Sequence, residues 1–570
     1  MNGLKKTPEN IIVIGASAAG LKAACRARRL LPQSEVTVIE SGKYISYAAC
    51  GLPYYLSGDI EDFDDLRKTP YELIKDPDYF ASIKDVTVLT HLCADRISKE
   101  QHTLCCHDVN TGTERIFPYD TLVIATGASP VIPDIPGNDL PGISTFTNAD
   151  DAIELKKACE SGKINSVVVV GAGYIGIELC EAFSALWGIE VTLIEQESHI
   201  LSGFIDSELA VKVEEMLKDE GVNVITGTRC TGITQNGSGL SVHTDGITCD
   251  TVFDRVLFCT GIKPNIGIAI DAGLKTGETG GITVDDNLRT SDPDIYAGGD
   301  CVEIEHRLTG KQVLFPLGSI ANRMGRVIGN NIAGKERTFA PIVGSSVLKA
   351  FDWNIASVGL TATKAREAGF NTGEAWGVFD DKAHFYPDAE VILVKMVFDT
   401  QTEQILGAQA AGKGDVVRRI DAISALMQKE AVIDDLFDFE PAYAPPYSGP
   451  LDPLHFMAFE ADAVLHEGLK PESPADVETI LASKPAVLDV RTETERNSHP
   501  LPKGFKRVYE IPLDRLRDSI GTIQTGQNIL AVCQRGTRSY EAVRIMRENG
   551  MSTVSFLGGG MLFARSYNDL

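Results

Sequence analysis

The sequence predicts an α/β chain of four domains, and three observations carry that prediction. The length of 570 residues is close to four times the roughly 150 residues of an ordinary domain. The first half repeats one pattern of strand, glycine turn, helix, strand and acid. The C-terminal segment alternates short apolar strands with helices. Hydrophobic residues make up 43% of the chain, enough for several packed cores. The formal charge is −26, which argues against nucleic acid as a general partner, because phosphate backbones need a basic footprint. A local basic site for a small polyanion remains compatible with it. Met1–Lys6 precedes any apolar run, and no long uninterrupted apolar stretch occurs. Neither a signal peptide nor a membrane contact is expected. The twelve cysteines include no CxxC pair, so the expectation is reduced thiols in a cytoplasmic setting, with no metal site.

The first repeat unit starts with the apolar run Ile11–Ile14, turns through Gly15, Ala16, Ser17, Ala18 and Gly20, enters a helix, and returns as Glu35–Ile39 followed by Glu40. The second runs from Val167–Val170 through Gly171, Gly173, Tyr174, Ile175 and Gly176 to Glu190–Ile194 and Glu195. In each, an acid falls about 20 residues after the last glycine, the spacing of a dinucleotide-binding fingerprint. The first glycine allows the tight turn, and the middle position, Ser17 in the first copy, lets the backbone approach a pyrophosphate. The helix N-terminus supplies N–H donors and a positive dipole end. The closing acid accepts hydrogen bonds from a ribose diol. Two such units imply two dinucleotides, FAD and a nicotinamide. Glu195 would repel a 2′-phosphate, which favours NADH over NADPH.

Two further strands end in motifs, Thr121–Ile124 before Ala125, Thr126 and Gly127, and Asp294–Ala297 before Gly298, Gly299 and Asp300. With the paired fingerprints, they give the chain its resemblance to the pyridine nucleotide–disulfide oxidoreductases. The resemblance implies Rossmann-like FAD and NAD(P)H domains, the second inserted into the first. The FAD domain would cover 1–150 and 276–338, and the NAD(P)H domain 151–275. It also implies that Asp300 holds the flavin ribityl chain, that Gly261 lies where the inserted unit returns, and that Leu317 and Ala321 open a flavin-side helix.

Cys50 follows the first unit, in Tyr47-Ala48-Ala49-Cys50-Gly51-Leu52-Pro53-Tyr54-Tyr55. Family members with a redox disulfide carry CxxxxC here, whereas this chain has Tyr55 at the second position. Cys50 is therefore a lone thiol, able to form a mixed disulfide with a small thiol or a sulfenic acid with peroxide. Single-cysteine members are NADH oxidases or peroxidases, or CoA-disulfide reductases. The peroxidase type carries a histidine in the first glycine turn, and here that place is Ala18.

Lys22, Arg26 and Arg29 lie at i, i+4 and i+7 on one helix face, with Arg28 beside them. Against the acidic background this stripe fits the phosphates of coenzyme A. The resemblance to CoA-disulfide reductases adds Ser46 and Asn322 as CoA contacts, with Ala49 where some members carry Asn. The segment Lys68–Asp85 is longer than the family's equivalent, and the usual CoA-binding lysine is not identifiable in it. The resemblance further implies an α+β dimerisation domain over 339–466. From it, Tyr386 and Tyr443 would reach the partner subunit's flavin and cysteine, making a homodimer with a shared active site. A phenol there could orient or protonate a leaving thiolate, although packing of the interface is the other role open to these tyrosines.

The C-terminal residues 474–570 read as one more α/β domain. Ile529–Val532 is a buried strand ending in Cys533, and Gln534, Arg535, Gly536, Thr537, Arg538 and Ser539 open a helix. A cysteine at a strand tip before a helix N-terminus is an anion cradle that favours the thiolate. Arg535 and Arg538 are expected to add positive charge, and Gly536 to permit the turn. The pattern matches the rhodanese signature CxxGxRS, with Asp489 and Arg491 matching a second motif. The whole chain thus resembles a rhodanese-tailed CoA-disulfide reductase, similar to NADH-dependent persulfide reductases. The implied substrates are small thiols, persulfides and polysulfides. An NADH oxidase or peroxidase, and a redox-sensing sulfur carrier, are the alternatives.

Overall fold

A computed structural model describes residues 7–246, 251–475, 479–480, 483, 485–501, 505 and 507–564. The expectation drawn from Met1–Lys6 lies outside the described residues. The chain forms two compact units, Met1–Leu193 with Arg229–Ile342, and Ile194–Thr228 with Val343–Leu570. Among the described residues, no helix is long and apolar enough to cross a membrane.

The first unit holds a parallel sheet in the order Ile295–Ala297, Thr121–Ile124, Asn10–Ile14, Glu35–Ile39, Thr87–Leu89. Its central strand is apolar from Ile11 to Ile14 because both faces are covered there, and Ile11 and Val13 are fully buried. The Ala18–Leu30 helix packs on the Gly318–Ile332 helix at unusually short range. A Cβ at Gly325 would lie 2.3 Å from the Ala19 carbonyl oxygen, and one at Gly329 would lie 2.6 Å from Arg26 Cβ. Two glycines four residues apart therefore make the seam along which these helices meet. An antiparallel sheet, Leu92–Ser98, Thr103–Asp108 and Glu114–Pro118, follows the Thr87–Leu89 strand. Farther along, Ile143–Ser144, Arg255–Phe258, Ser166–Val170 and Glu190–Ile194 are successive neighbours in another sheet.

The second unit contains an antiparallel sheet in the order Ser345–Ala350, Trp353–Gly359, Ile405–Gly412, Val391–Asp399, Thr372–Asp380. It also contains a parallel sheet in the order Pro471–Glu472, Val554–Leu557, Ile529–Val532, Ala486–Asp489, Arg507–Glu510. In the antiparallel sheet sits a buried ion cluster. The Lys395 ammonium, 1% exposed, lies 3.0 Å from Asp206, 3.0 Å from Glu208 and 2.8 Å from Glu374. Gln409 donates to Asp206 and accepts from its N–H, both at 2.7 Å, while Ser473 donates to Glu208 at 3.1 Å. Burial by itself disfavours the ammonium, but Glu208, Asp206 and Glu374 overcome it and hold Lys395 well above its usual range.

The Pro453–His466 helix covers the Thr372–Asp380 strand, and the Trp376 N–H donates to Glu460 at 3.2 Å. Burial of its carboxyl end pushes Glu460 up to about 8, against that hydrogen bond. The native state therefore retains a proton that the unfolded chain releases near pH 4.5. Stability from this group is complete below that pH and is lost as pH rises toward 8. Glu460→Gln keeps the acceptor for Trp376 and removes the charge. Melting curves of wild type and Glu460→Gln are expected to coincide near pH 5 and to diverge toward pH 8.5, with the variant more stable. Parallel pH profiles would contradict this.

Candidate active site

The two glycine turns have the same construction. Gly15 adopts φ +102°, and a Cβ there would strike the Ala125 carbonyl oxygen at 2.1 Å; Gly171 adopts φ +106°, and its Cβ would strike that of Cys259 at 2.4 Å. A Cβ on Gly20 would lie 1.9 Å from the Gly15 oxygen, and one on Gly176 lies 2.0 Å from that of Gly171. Each turn thus needs glycine at both ends for backbone packing, independently of any ligand. The middle position differs. Gly173 has open space where a Cβ would point, and it stands directly before the Tyr174–Glu181 helix that Tyr174 and Ile175 begin. In the first turn, Ser17 precedes the helix starting at Ala18 and its side chain makes no capping bond, which leaves the first-turn N–H groups uncapped by it. Gly127 and Gly261 both take positive φ with open space beside them.

Glu40 is held by two backbone donors, Ala16 N–H and Gly42 N–H, both at 2.8 Å. Its carboxylate therefore stands against the first turn, where an adenosine ribose diol would meet it. Desolvation raises the Asp300 carboxyl, and no other cause offsets it. A partly buried acid that lacks a compensating donor among the described residues suits the hydroxyl-rich ribityl chain of a flavin. Gly299 packs against Ala19 and Ala321, and the Ala321 N–H donates to the Leu317 carbonyl at 2.9 Å as the Gly318–Ile332 helix begins. These features fit FAD at the first turn. At the second, Glu195 directly follows the Glu190–Ile194 strand and accepts from the Glu197 N–H at 2.9 Å.

Cys50 is exposed, in the one-turn helix Ala49–Gly51 that leads into Leu52–Ser57. Tyr55, which stands where a second cysteine would, is buried and has the Lys156 ammonium 4.0 Å from its ring centre. It is a packing residue, so Cys50 has no sulfur neighbour there. Tyr54, one helical turn on from Cys50, lies 3.5 Å from Glu178 through its hydroxyl. Burial, then the Glu178 and Glu181 charges, push the Tyr54 phenol up to about 12, and Cys50 adds to the effect. Burial pushes Glu178 up to about 7. This phenol–carboxyl pair beside the thiol escaped the sequence reading, since Tyr54 and Glu178 are far apart in the chain.

The basic stripe is positioned by the glycine seam. The stems of Lys22 and Arg26 lie against Gly325 and Gly329, Arg26 donates to Asn330 at 2.8 Å, and Lys22 and Arg29 are exposed. Arg28 pairs with Asp85 instead. The long segment before Asp85 supplies Lys75, whose ammonium is lowered by burial and again by the nearby charge of Lys22. Lys75 is thus an additional cation beside the stripe, placed by an irregular loop that carries no sequence period. Ser46 has φ +53°, and its N–H donates to the Ala16 carbonyl at 2.9 Å, which ties the segment before Cys50 to the first turn. The Asn322 amide donates to Gly318 in its own helix at 2.8 Å.

In the second unit, Tyr386 lies in a turn after the Thr372–Asp380 strand, its N–H donating to Ala383 at 2.8 Å. Tyr443 is 54% exposed, and Phe385 and Tyr447 are still more exposed at 69% and 66%.

Cys533 is fully buried at the end of the Ile529–Val532 strand. The Gly536 N–H donates to its sulfur at 3.1 Å, and the Ser539 hydroxyl lies 3.5 Å away. Gly536 takes φ +92° before the Thr537–Glu548 helix. A second loop closes on this one: Met561 N–H donates to the Cys533 carbonyl at 2.9 Å, and a Cβ on Gly560 would lie 2.6 Å from that oxygen. Both expected arginines are charged groups with carboxylate partners of their own. Arg535 pairs with Asp380 at 2.8 Å and Arg538 with Glu495 at 2.5 Å, and the Arg538 guanidinium holds Glu495 down at about 2. Each arginine thus has a carboxylate partner, while Arg538 still interacts electrostatically with Cys533 and the Gly536 N–H and the helix N-terminus add to the field at the sulfur. Arg491 is fully buried, paired with Asp489 at 2.8 Å, and donates to the His499 carbonyl at 2.7 Å. The Asp489–Arg491 motif is thus the internal brace of this sheet.

The fold and the paired turns define an oxidoreductase that uses two dinucleotides. Residues 9–325 match the family described as pyridine nucleotide-disulphide oxidoreductase, and residues 346–453 match the dimerisation domain of that family. The chain belongs to the pyridine nucleotide-disulphide oxidoreductases, and FAD and NAD(P)H are its cofactors. It is 37% identical to the NAD(P)H sulfur oxidoreductase (CoA-dependent) of Pyrococcus furiosus, over 79% of this chain and 98% of that protein. The structure resembles the NAD-dependent persulfide reductase of A. fulgidus with a TM-score of 0.92 and 39% identity, covering 97% of this chain and 99% of the other. It also resembles the reduced CoADR-RHD of Bacillus anthracis, with a TM-score of 0.90 and 30% identity over 97% of each chain. The last two extend through the C-terminal domain.

Proposed function

We propose that the chain is an NADH-dependent reductase of CoA-persulfide, polysulfide and CoA-disulfide, working as a homodimer, with a rhodanese domain that supplies sulfane sulfur. The observation that carries this reading is the exposed Cys50 with a buried tyrosine at the position of a second cysteine. The lone thiol then has only an external sulfur to attack. Bound FAD would pass two electrons from NADH to the sulfur centre. The Cys50 thiolate attacks the CoA-side sulfur of CoA-persulfide, the S–S bond breaks, and hydrosulfide leaves. The new Cys50–CoA disulfide then takes up two electrons, which restores the Cys50 thiolate and frees CoA thiolate. Lys22, Arg26, Arg29 and Lys75 hold the CoA phosphates, and Ser46 and Asn322 are placed along the same ligand. Tyr386 and Tyr443 serve the leaving thiolate across the dimer. Glu40 and Asp300 hold FAD, and Glu195 selects NADH.

Anaerobic NADH consumption with each sulfur substrate tests the reading. Fast turnover with CoA-persulfide and slow turnover with oxygen or peroxide alone are expected; equal rates with oxygen or peroxide would favour an oxidase or peroxidase instead. Cys533→Ser is expected to lose most of the use of polysulfide plus CoA and to keep most of the use of preformed CoA-persulfide. Hydrosulfide release measured with each substrate decides it, and equal losses would remove the relay through Cys533.

A further inference from the structure

We propose that Cys93, Asp95 and His107 form a site for one divalent transition-metal cation of the zinc class. The three residues lie on the antiparallel hairpin made by Leu92–Ser98 and Thr103–Asp108. Cys93 and His107 are direct cross-strand partners, so their side chains share a face. The register slips between Ala94 and Arg96, which leaves Asp95 as the extra residue of a bulge. Bulges re-aim side chains, and this one brings both carboxylate oxygens of Asp95 to 2.8 and 2.9 Å from His107 Nδ1. One ligand atom from each of the three residues lies within 4.8 Å of the others. A tetrahedral ion with bonds of about 2.0–2.3 Å separates its ligand atoms by roughly 3.3–3.8 Å. Small side-chain rotations therefore complete the geometry.

The donor set selects the class of ion. One thiolate, one imidazole and one carboxylate suit zinc and its neighbours, whereas magnesium and calcium take oxygen ligands. Cys93 and His107 are partly buried and Asp95 is exposed, which gives the ion an entry from solvent. The remaining position of a tetrahedral ion is left for water. On binding, the Cys93 thiol gives its proton to solvent and its sulfur bonds the metal; nothing is oxidised or reduced. Such an ion would staple two strands of the sheet. The sequence reading found no metal spacing because the ligands are split across a hairpin.

The test is a zinc titration of chelator-treated, anaerobic, flavin-loaded protein in competition with a chromophoric chelator. Wild type is expected to take up one equivalent per chain that a Cys50→Ser/Cys533→Ser double variant retains. Cys93→Ser and His107→Gln are expected to weaken that equivalent at least tenfold while flavin content stays at the wild-type level. Unchanged affinity in the hairpin variants would overturn the proposal, as would loss of the equivalent in the double variant alone. If a hairpin variant loses flavin, the exposed and near-isosteric Asp95→Asn is read by the same criterion.

Discussion

Cys50→Ser is expected to cut NADH-driven hydrosulfide release by on the order of a thousandfold, about 4 kcal/mol in activation free energy, with CoA-persulfide and polysulfide alike. A serine hydroxyl is a far weaker nucleophile than a thiolate and cannot form the mixed disulfide. The position where a second cysteine would stand offers no sulfur to replace it, being the buried Tyr55. The variant should keep its flavin, because Cys50 is exposed and contributes nothing to packing of the first glycine turn. Anaerobic assays of NADH oxidation and hydrosulfide on flavin-replete protein check this. Retention of a tenth or more of the wild-type rate would move the attack to another thiol.

Lys395→Met is expected to destabilise the second unit by about 3–5 kcal/mol near pH 8. The substitution roughly preserves volume, so the effect is electrostatic. It strands Asp206, Glu208 and Glu374 around an apolar side chain, in a place where Lys395 is 1% exposed and Asp206 and Glu208 are 6% and 7% exposed. Burial alone would raise Asp206, yet the Lys395 ammonium and donors such as Ala362 N–H keep it below its usual range. Without the ammonium, the carboxylates are relieved only by taking up protons, so the loss should shrink as pH falls. Urea unfolding of both proteins at two pH values measures it. A loss of under 1 kcal/mol at pH 8 would mean that the carboxylates reach solvent when the lysine is absent.

What was legible in the sequence was local. Gly15 and Gly20, and again Gly171 and Gly176, are required by contacts within a single turn, and a contact that short in sequence leaves a regular spacing. Cys533 and Gly536 are visible for the same reason. The strands around them show as apolar runs because parallel sheets bury both faces. Lys75, Tyr54 with Glu178, and the partners of Arg535 and Arg538 were not legible. Each depends on where distant segments meet, and a lysine in an irregular loop has no period that marks it. The arginines show the hazard of counting charge by composition. Arg535 and Arg538 are cationic in the sequence, but Asp380 and Glu495 answer them from elsewhere in the fold.

The Arg535–Asp380 pair also bears on how sulfur travels. The loop that carries Cys533 is moored to the antiparallel sheet by that ion pair, and the second loop that closes on it is moored by the Gly559 N–H, which donates to the Trp376 carbonyl at 3.1 Å. A moored loop rides with the sheet, so it makes a fixed quay rather than a crane. On the proposed relay, sulfur leaving Cys533 would then be carried by the visiting molecule, and the reach of a long, flexible thiol would become part of the machine.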